Sequence, residues 1–260
     1  MKNSTGRRLV DLHEVGITDI ETVGGKNASL GEMISHLTGL GIRIPGGFVV
    51  TVQAYKEFIS FNDLEHRIKH IINEMDVDDL DSLRHCGMKI RQLIAGGEFP
   101  QPLADEIVKK YQELSELYKM ANIDVAVRSS ATAEDLPDAS FAGQQDTYLN
   151  ISTPHSLLTS IRSCFASLFT DRAISYRQSF NYDHFQIGLS VCVQKMVRSD
   201  LAASGVAFSL DTESGFKDVV VINGSYGLGE MIVQGAISPD EFIVFKVLTP
   251  ETLKIVRSCR

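Results

Sequence analysis

A lysine that follows two glycines is the first residue of this sequence with an evident chemical use. Lys26 comes directly after Gly24 and Gly25, at the predicted start of a helix. Flexible backbone, N–H groups at a helix start and a cation together favour an anion site. The run is not a Walker A loop, because Ile20 stands where that pattern needs glycine and Asn27 where it needs Ser or Thr. Spacing alone leaves two interpretations open: a phosphate ligand or a solvated surface lysine.

Arg128 is the second cationic candidate, and two serines follow it in the sequence. Residues 123–127 form a β-rich run, so the pattern predicts an arginine at the end of a buried strand. A guanidinium presents a planar fork of donors that matches phosphate oxygens. A pair between Arg128 and a carboxylate, Glu134 or Asp135, is the alternative, and the residues alone do not choose between the two.

Three uncharged residues complete the set of candidates. Gly143 lies at the predicted bend of a hairpin over residues 141–149, where glycine lets the backbone approach a ligand closely. Thr147 adds a hydroxyl on a neighbouring position of that hairpin. Gln194 lies between apolar neighbours in a predicted strand and can present its amide to a planar base. An ordinary turn glycine and a solvent-facing strand residue are the alternatives when each motif is taken alone.

Three other patterns do not indicate sites. Residues 224–230 have the spacing G-x-x-G-x-G rather than the G-x-G-x-x-G of dinucleotide-binding folds, and Asp240 and Glu241 follow too early. His66 and His70 are four residues apart on a polar helix, which favours a solvated face over a metal site. The four cysteines form no CxxC pair, so they are predicted to be reduced thiols.

The apolar spacing predicts the elements that position these residues. Within residues 24–40 an amphipathic helix is predicted directly after Gly24 and Gly25. Residues 48–50 are predicted to form a short strand, and Thr51 to cap a helix that runs to about residue 60. Residues 61–121 are mainly helical and are interpreted as a structural insert. Further predicted helices cover residues 80–94, 102–120, 156–169 and 172–180, and further predicted strands cover residues 189–197, 203–210, 219–223 and 241–247. A helix-rich first half followed by a strand-rich second half predicts an α+β fold.

Composition limits the possible partners. The chain has 260 residues, of which 43% are hydrophobic and 22% charged, and its formal net charge is −8. This fits one large domain or two small ones, and the acidic excess argues against broad binding of nucleic acid. No apolar run approaches the roughly 20 residues of a membrane helix. No long apolar stretch follows the basic N-terminus either, so we expect no membrane partner, no secretory signal and a cytoplasmic location.

Seven motifs occur in an order that resembles the N-terminal ATP-binding domain of the phosphoenolpyruvate synthase family, and similar domains occur in pyruvate phosphate dikinase and rifampicin phosphotransferase. The motifs are GGKNASLGEM at 24–33, PGGF at 45–48, VRSSATAED at 127–135, SFAGQQ at 140–145, QKMVRSD at 194–200, GLGE at 227–230 and PDE at 239–241. The resemblance covers nearly the whole chain. Residues 1–260 are therefore expected to be the N-terminal part of that domain.

The resemblance implies an ATP-grasp-like fold, incomplete at its C-terminal end, in which two α+β subdomains hold ATP. It implies that Lys26 and Arg128 contact the ATP phosphates and act in phosphoryl transfer. It also implies that Gly143 and Thr147 belong to a glycine-rich hairpin over the phosphates, and that Gln194 lies near the adenine pocket. ATP and Mg²⁺ are the cofactors that it implies.

The same resemblance implies the reaction of the parent enzyme. The β-phosphoryl group of ATP passes to a histidine, with AMP and phosphate as products, and the phosphohistidine then converts pyruvate to phosphoenolpyruvate. Family enzymes are much longer, and a homodimer is the expectation for the parent enzyme. Their metal-binding carboxylate, phosphohistidine domain and pyruvate-binding barrel correspond to no part of this chain, so pyruvate would bind only through absent domains. This chain alone is not expected to complete the reaction. The alternatives are an ATP domain of the rifampicin phosphotransferase or dikinase type, and a non-catalytic nucleotide-binding module.

Overall fold

The chain divides into two units that each combine helices with antiparallel strands. A computed structural model describes residues 6–76, 79–132, 135–136, 139–140, 147–180, 182–246 and 255–258. Unit 1 comprises Met1–Met196 and unit 2 comprises Val197–Arg260. The mixture of helices and antiparallel strands confirms the predicted α+β class.

Unit 1 is built on an antiparallel sheet. Its strands are β1 (Leu9–Asp11), β2 (Gly47–Val50), β3 (Val125–Ala131), β4 (Asp135–Leu136), β5 (Ala139–Ser140), β6 (Thr147–Ile151) and β7 (Leu189–Lys195). Five of them form one sheet of order β1-β2-β7-β3-β6, while β4 and β5 pair only with each other. All neighbouring strands run antiparallel, and β7 lies at the centre although it comes last in the sequence. The central strands β7 and β3 carry Gln194 and Arg128.

The helices of unit 1 are amphipathic and pack on this sheet. They are α1 (Ile20–Leu37), α2 (Val52–Phe61), α3 (Leu64–Asn73), α4 (Leu80–Ala95), α5 (Gln101–Leu117), α6 (Pro154–Ser167) and α7 (Asp171–Ser179), and short 3₁₀ helices cover Leu12–Glu14, Ile17–Asp19 and Thr38–Leu40. Buried residues recur every three or four positions, as in Leu103, Ile107, Tyr111 and Leu114 of α5. Each helix therefore buries one face.

The alternation of side chains along β7 separates two cores. Leu189, Val191 and Val193 belong to the larger core, which also contains buried residues of α2 to α7. Cys192 belongs to a smaller core with Val23 and other residues of α1. The sheet is therefore covered by α2 to α7 on one face and by α1 on the other. Arg128 and Gln194 share the face that α1 covers, because Arg128 pairs with Cys192 and Gln194 is two residues from Cys192.

Unit 2 contains a four-stranded antiparallel sheet. Its strands are β8 (Ala203–Phe208), β9 (Val219–Tyr226), β10 (Asp240–Phe245) and β11 (Ile255–Ser258), in the order β11-β10-β9-β8. A 3₁₀ helix (Ser199–Leu201) precedes β8, and the short helix α8 (Glu230–Val233) follows β9. The Lys246 amine donates to the carbonyl oxygens of Ser209 and Lys217, which ties the β8–β9 connection to the end of β10.

The predicted helices and strands are confirmed to within a few residues, and the exposure of His66 and His70 on α3 is confirmed as well. The cysteines that the structure describes, Cys86, Cys164 and Cys192, are buried free thiols. None of the described helices has both the length and the apolar character needed to cross a bilayer.

Two local predictions are wrong. Arg128 does not end its strand, because β3 continues through the two serines to Ala131. Both serines are buried and hold register with β7, so their polarity does not break the strand. Thr51 stands at the N-cap of α2, but its side chain does not cap the helix. Its hydroxyl lies 2.6 Å from the Arg7 carbonyl oxygen and 3.1 Å from that of Arg8, and so joins the segment before β1 to the residue after β2.

Candidate functional site

A break in α1 places Lys26 near a helix start. The prediction put Gly24 and Gly25 before the helix, whereas α1 begins four residues earlier, at Ile20, and is interrupted at Gly24. Gly24 has φ 75° and ψ 161°, a conformation open essentially to glycine alone. Gly25, Lys26 and the next residue therefore stand in the first turn of a second helical segment. Helix first turns favour anions, because their N–H groups have no partner within the helix.

The sheet opposite this helical turn presents Arg128. In the register of β3 and β7, Arg128 is directly opposite Cys192, and in that of β3 and β6 it is directly opposite Thr147. Directly opposed residues in antiparallel strands point to the same face. Arg128 is therefore flanked by the Cys192 thiol on one side and the Thr147 hydroxyl on the other.

A cavity of about 350 Å³ lies between the helix α1 and the strands β3 and β7. This volume is within the roughly 300–1,000 Å³ range of small-molecule sites. Its lining residues in the described part of the chain are Gly25, Lys26, Asn27, Ser29, Leu30, Met33, Arg128, Ser129, Cys192 and Gln194. Two cations far apart in the sequence thus line one cavity.

The cavity has a cationic end and an apolar end. Lys26, Ser29, Leu30 and Met33 recur at helical spacing, so they form one face of α1. Seven residues of helix rise about 10 Å, which separates the backbone positions of Lys26 and Met33 along the cavity. Met33 is 47% exposed although it is a large apolar residue. This arrangement suits a ligand with an anionic end and a flat apolar end.

The electrostatics of the cavity are positive. No Asp or Glu is among the lining residues that the structure describes. Burial raises the pKa of the Cys192 thiol to about 12, and the Arg128 guanidinium acts in the opposite direction but is the smaller cause. The thiol is therefore neutral near pH 7 and is not a nucleophile in this state. The charge in the described lining comes from Lys26 and Arg128.

Gln194 lines the cavity, and its side chain is held by a hydrogen bond to the backbone. Its side-chain Nε2 donates to the Pro45 carbonyl oxygen at 3.0 Å, and its residue pairs with Gly47 of β2. An alanine-sized side chain at Gly47 would lie 2.2 Å from the Val193 carbonyl oxygen, so this junction is tightly packed. The amide orientation of Gln194 is fixed by the segment that precedes β2.

The structure thus brings together Lys26, Arg128 and Gln194, and it places Thr147 beside Arg128. Gly143 lies outside the described residues. The alternative partners of Arg128, the carboxylates of Glu134 and Asp135, lie outside the side chains that the structure describes.

Two polar residues of this site were missed by the sequence analysis. Asn27 and Ser190 are buried and hydrogen-bonded to each other across α1 and β7. A signal for Asn27 was present in the sequence, because it shares a helical stripe with the apolar residues Val23, Leu30 and Ile34. A polar residue on a buried stripe needs a partner.

Comparison with known proteins defines the class of this chain. Residues 20–259 match the family described as the pyruvate phosphate dikinase AMP/ATP-binding domain. Because the match spans most of the sequence, the chain belongs to this family.

Three of the curated relatives that it matches are named phosphoenolpyruvate synthase. The chain is 60% identical to a phosphoenolpyruvate synthase of Aquifex aeolicus over 235 residues, which is 90% of this chain and 28% of that protein. It is 54% identical to the phosphoenolpyruvate synthase of Synechocystis over 245 residues, or 93% of this chain and 30% of that protein. It is 51% identical to the Escherichia coli phosphoenolpyruvate synthase over 244 residues, which is 94% of this chain and 31% of that protein. The chain spans about three tenths of the length of these relatives.

Proposed function

We propose that this chain binds ATP in the cavity between α1 and the sheet, as the ATP-binding portion of a phosphoenolpyruvate synthase. Lys26 and Arg128 hold the phosphates, and the base lies toward Leu30, Met33 and Gln194. The observation that carries the proposal is the convergence of Lys26 and Arg128 on one cavity. Membership of an AMP/ATP-binding family supports the choice of nucleotide.

The two cations suit a triphosphate for different reasons. The Lys26 ammonium is a point charge on a flexible stem and can follow a phosphoryl group during transfer. The Arg128 guanidinium extends from a central strand and offers two parallel donors to one phosphate. Each charge-assisted hydrogen bond contributes about 1.5–3 kcal/mol. Loss of either side chain is therefore expected to weaken ATP binding roughly 10- to 100-fold.

Thr147 and Gly143 complete the proposed phosphate end. The Thr147 hydroxyl lies beside Arg128 on the same face of the sheet, and we propose that it donates to a neighbouring phosphate oxygen. Gly143 is proposed to belong to the same hairpin connection, because the sequence between β5 and β6 contains it. The motif resemblance supports this assignment.

Mg²⁺ is proposed as part of the substrate, carried by the ATP phosphates. Proteins hold nucleotide-bound Mg²⁺ through one or two carboxylates as well as phosphates. The described cavity lining offers hydroxyl and amide oxygens but no carboxylate. These residues do not fit a Mg²⁺ site on their own.

For the whole enzyme we propose the conversion of ATP, pyruvate and water to AMP, phosphoenolpyruvate and phosphate through a phosphohistidine. The part represented by these 260 residues supplies ATP binding and charge neutralisation during phosphoryl transfer. Its relatives devote about 70% of their length to sequence that does not align with this chain. We therefore expect no pyruvate-dependent AMP formation from the 260 residues alone.

We also propose an ATP-grasp-like fold for this chain. An ATP-grasp-like arrangement, with residues 61–121 as a helical insert, is supported by the division into two α+β units. The helices of that segment share a continuous core with the sheet. The proposed domain is the N-terminal part of the ATP-binding domain, and a homodimer of the whole enzyme remains a proposal from the resemblance.

Calorimetric titration with ATP and Mg²⁺ tests the site. Lys26→Ala and Arg128→Ala should each raise the Kd for ATP roughly 10- to 100-fold and leave the Kd for adenosine within twofold, because adenosine has no phosphates. Lys89→Ala and Arg84→Ala are matched controls, since both side chains are exposed on α4, away from the cavity.

The outcome discriminates the competing functions. Unchanged ATP affinity in both cavity variants would remove the phosphate assignment of Lys26 and Arg128. If the unsubstituted chain bound neither ATP nor adenosine, it would be a folded module without the proposed activity. Pyruvate-dependent AMP formation by this chain alone would contradict the proposed division of labour.

A further inference from the structure

The junction between α1 and the sheet is made by side chains that line or adjoin the cavity. Asn27 is 3% exposed and Ser190 is fully buried. The Asn27 Nδ2 donates to the Val23 carbonyl oxygen at 2.9 Å and to the Ser190 Oγ at 3.0 Å. This buried amide donates one hydrogen to the helix and one to the strand, so it holds the helix in a fixed position on the strand.

Ser190 completes the junction from the strand side. Its Oγ accepts from Asn27, and its single hydrogen is directed toward the Val23 carbonyl oxygen, with the Ser130 carbonyl oxygen also within 3.1 Å. Val23 immediately precedes the break in α1. Its carbonyl is thus satisfied by two side chains, one from each side of the junction.

This junction adjoins both cations. Asn27 follows Lys26 directly in the first turn after the break, so any rotation of that turn moves the ammonium. On the other side, Ser190 is two residues from Cys192, which is opposite Arg128. Two residues of strand span about 7 Å. The hydrogen-bonded pair therefore sets where the helical turn with Lys26 lies along the strand that faces Arg128.

The backbone approach at Gly24 reinforces this arrangement. A Cβ at Gly24 would lie 2.3 Å from the Ser130 Oγ and 2.7 Å from its carbonyl oxygen. The turn is therefore in direct contact with β3 as well as with β7. Packing at Gly24 brings α1 close to the sheet. The hydrogen bonds of Asn27 and Ser190 fix the position of α1 along the strands.

From this geometry we infer that Asn27 and Ser190 are positioning residues for ATP, an inference that rests on the proposed function. Their side-chain hydrogen bonds go to each other and to the Val23 carbonyl oxygen. They hold the first turn of the second α1 segment against β7, so that the Lys26 amine and the Arg128 guanidinium meet the same triphosphate. Removal of either partner lets the turn shift and separates the two cations.

Paired substitutions test this role. Asn27→Leu keeps the branched shape of the side chain but has no hydrogen bonds, and Ser190→Ala removes only the hydroxyl. Each should raise the Kd for ATP roughly 10-fold. This is the low end of the effect that follows when a residue that orients a metal ligand is removed. The Kd for adenosine should stay within twofold, because the apolar end of the cavity is unchanged. Ser190→Thr keeps the hydroxyl and should restore the ATP Kd to within about twofold of the original.

Two matched controls separate positioning from general stability. Asn62→Leu removes a half-buried junction of the same type, in which the Asn62 Nδ2 donates to the Phe58 and Glu98 carbonyl oxygens at 2.8 Å. Ser115→Ala removes a buried hydroxyl that donates to the Tyr111 carbonyl oxygen at 3.0 Å. Both should lower the melting temperature and leave the ATP Kd unchanged.

The results separate this inference from the proposed function. If the original chain binds ATP and Asn27→Leu and Ser190→Ala bind it equally well, the positioning role is wrong while the site stands. If the variants lose ATP and adenosine in parallel, or if the two controls weaken ATP as much, the effect is general destabilisation and the positioning role is wrong. If the original chain fails to bind ATP, the proposed function is wrong and the positioning role with it.

Discussion

Replacing Gly24 by alanine tests the contact on which the candidate site depends. Two costs add at this position. The backbone conformation, φ 75° and ψ 161°, is strained for any residue with a Cβ and costs about 1–3 kcal/mol. The Cβ would also lie 2.3 Å from the Ser130 Oγ and 2.9 Å from the Ser130 carbonyl carbon. Forced overpacking of this kind costs about 1–3 kcal/mol. We therefore expect Gly24→Ala to lower the free energy of unfolding by about 2–6 kcal/mol.

Two other glycines separate these costs experimentally. Gly41 has φ 85° but nothing within 4 Å of a Cβ, so Gly41→Ala incurs only the conformational cost, about 1 kcal/mol. Gly39 also has open space around it and no positive φ, so Gly39→Ala should change stability by no more than about 0.5 kcal/mol. Denaturation followed by circular dichroism gives the three values, since the chain has no tryptophan.

The ranking of the three variants decides the argument. The melting temperature of Gly24→Ala should fall by roughly 5–20 °C, because 1 kcal/mol shifts a chain of this size by about 2–4 °C. Equal destabilisation of Gly24→Ala and Gly41→Ala would show that α1 does not approach Ser130 as closely as described. The placement of Lys26 opposite Arg128 would then lose its structural basis.

Three further predictions concern the scaffold and its titration. Tyr111→Phe should cost about 1–3 kcal/mol in urea unfolding, because the buried Tyr111 hydroxyl donates to the Ile123 carbonyl oxygen at 2.8 Å and phenylalanine leaves that acceptor without this donor. Thr153→Ala should cost about 1 kcal/mol, since the Thr153 Oγ1 accepts from the Ser156 N–H at 3.1 Å and caps α6; an unchanged urea midpoint would contradict the cap. Burial lowers the pKa of His184 from 6.5 to about 4, so its imidazole NMR signals should titrate near pH 4. Only the unfolded chain takes up this proton between the two pKa values, so the contribution of His184 to stability is complete above pH 6.5 and is lost as the pH falls toward 4.

Much of the fold could be predicted from periodicity, because the helices bury one face each. In α4 and α5 the buried residues recur at helical spacing, and the predicted bounds of both helices agree with the structure to within three residues. The central strand β7 was equally predictable from its apolar run. The candidate site residues were indicated by residue type and by their places in the ordered family motifs, because spacing alone left a structural alternative open for each of them.

The errors arose where a distant contact overrides a local preference. The polar residues Ser129 and Ser130 were expected to end β3, but they are buried between β7 and the helices, so the strand continues. Thr51 was expected to cap α2, yet its hydroxyl contacts carbonyl groups 43 and 44 residues away in sequence. The roles of Asn27 and Ser190 depend on a contact across 163 residues. No local pattern contains the partner of such a group.

The net charge of the chain and the charge of its cavity point in opposite directions, and distance decides which matters for ATP. A cation about 4 Å from a phosphate contributes an attraction of about 1 kcal/mol in water and about 4 kcal/mol near a protein surface. A charge about 20 Å away contributes about 0.2 kcal/mol in water, and screening with a Debye length of about 8 Å reduces this by a further factor of about ten. At that distance the repulsion from all eight excess acidic charges is therefore smaller than the attraction from one nearby cation, Lys26 or Arg128. A nucleic acid covers much of the protein surface, so the acidic residues there repel it at short range. A triphosphate contacts only the groups of one cavity. The same composition thus argues against broad nucleic-acid binding, while the proposed ATP binding depends on the local geometry of α1 and β3.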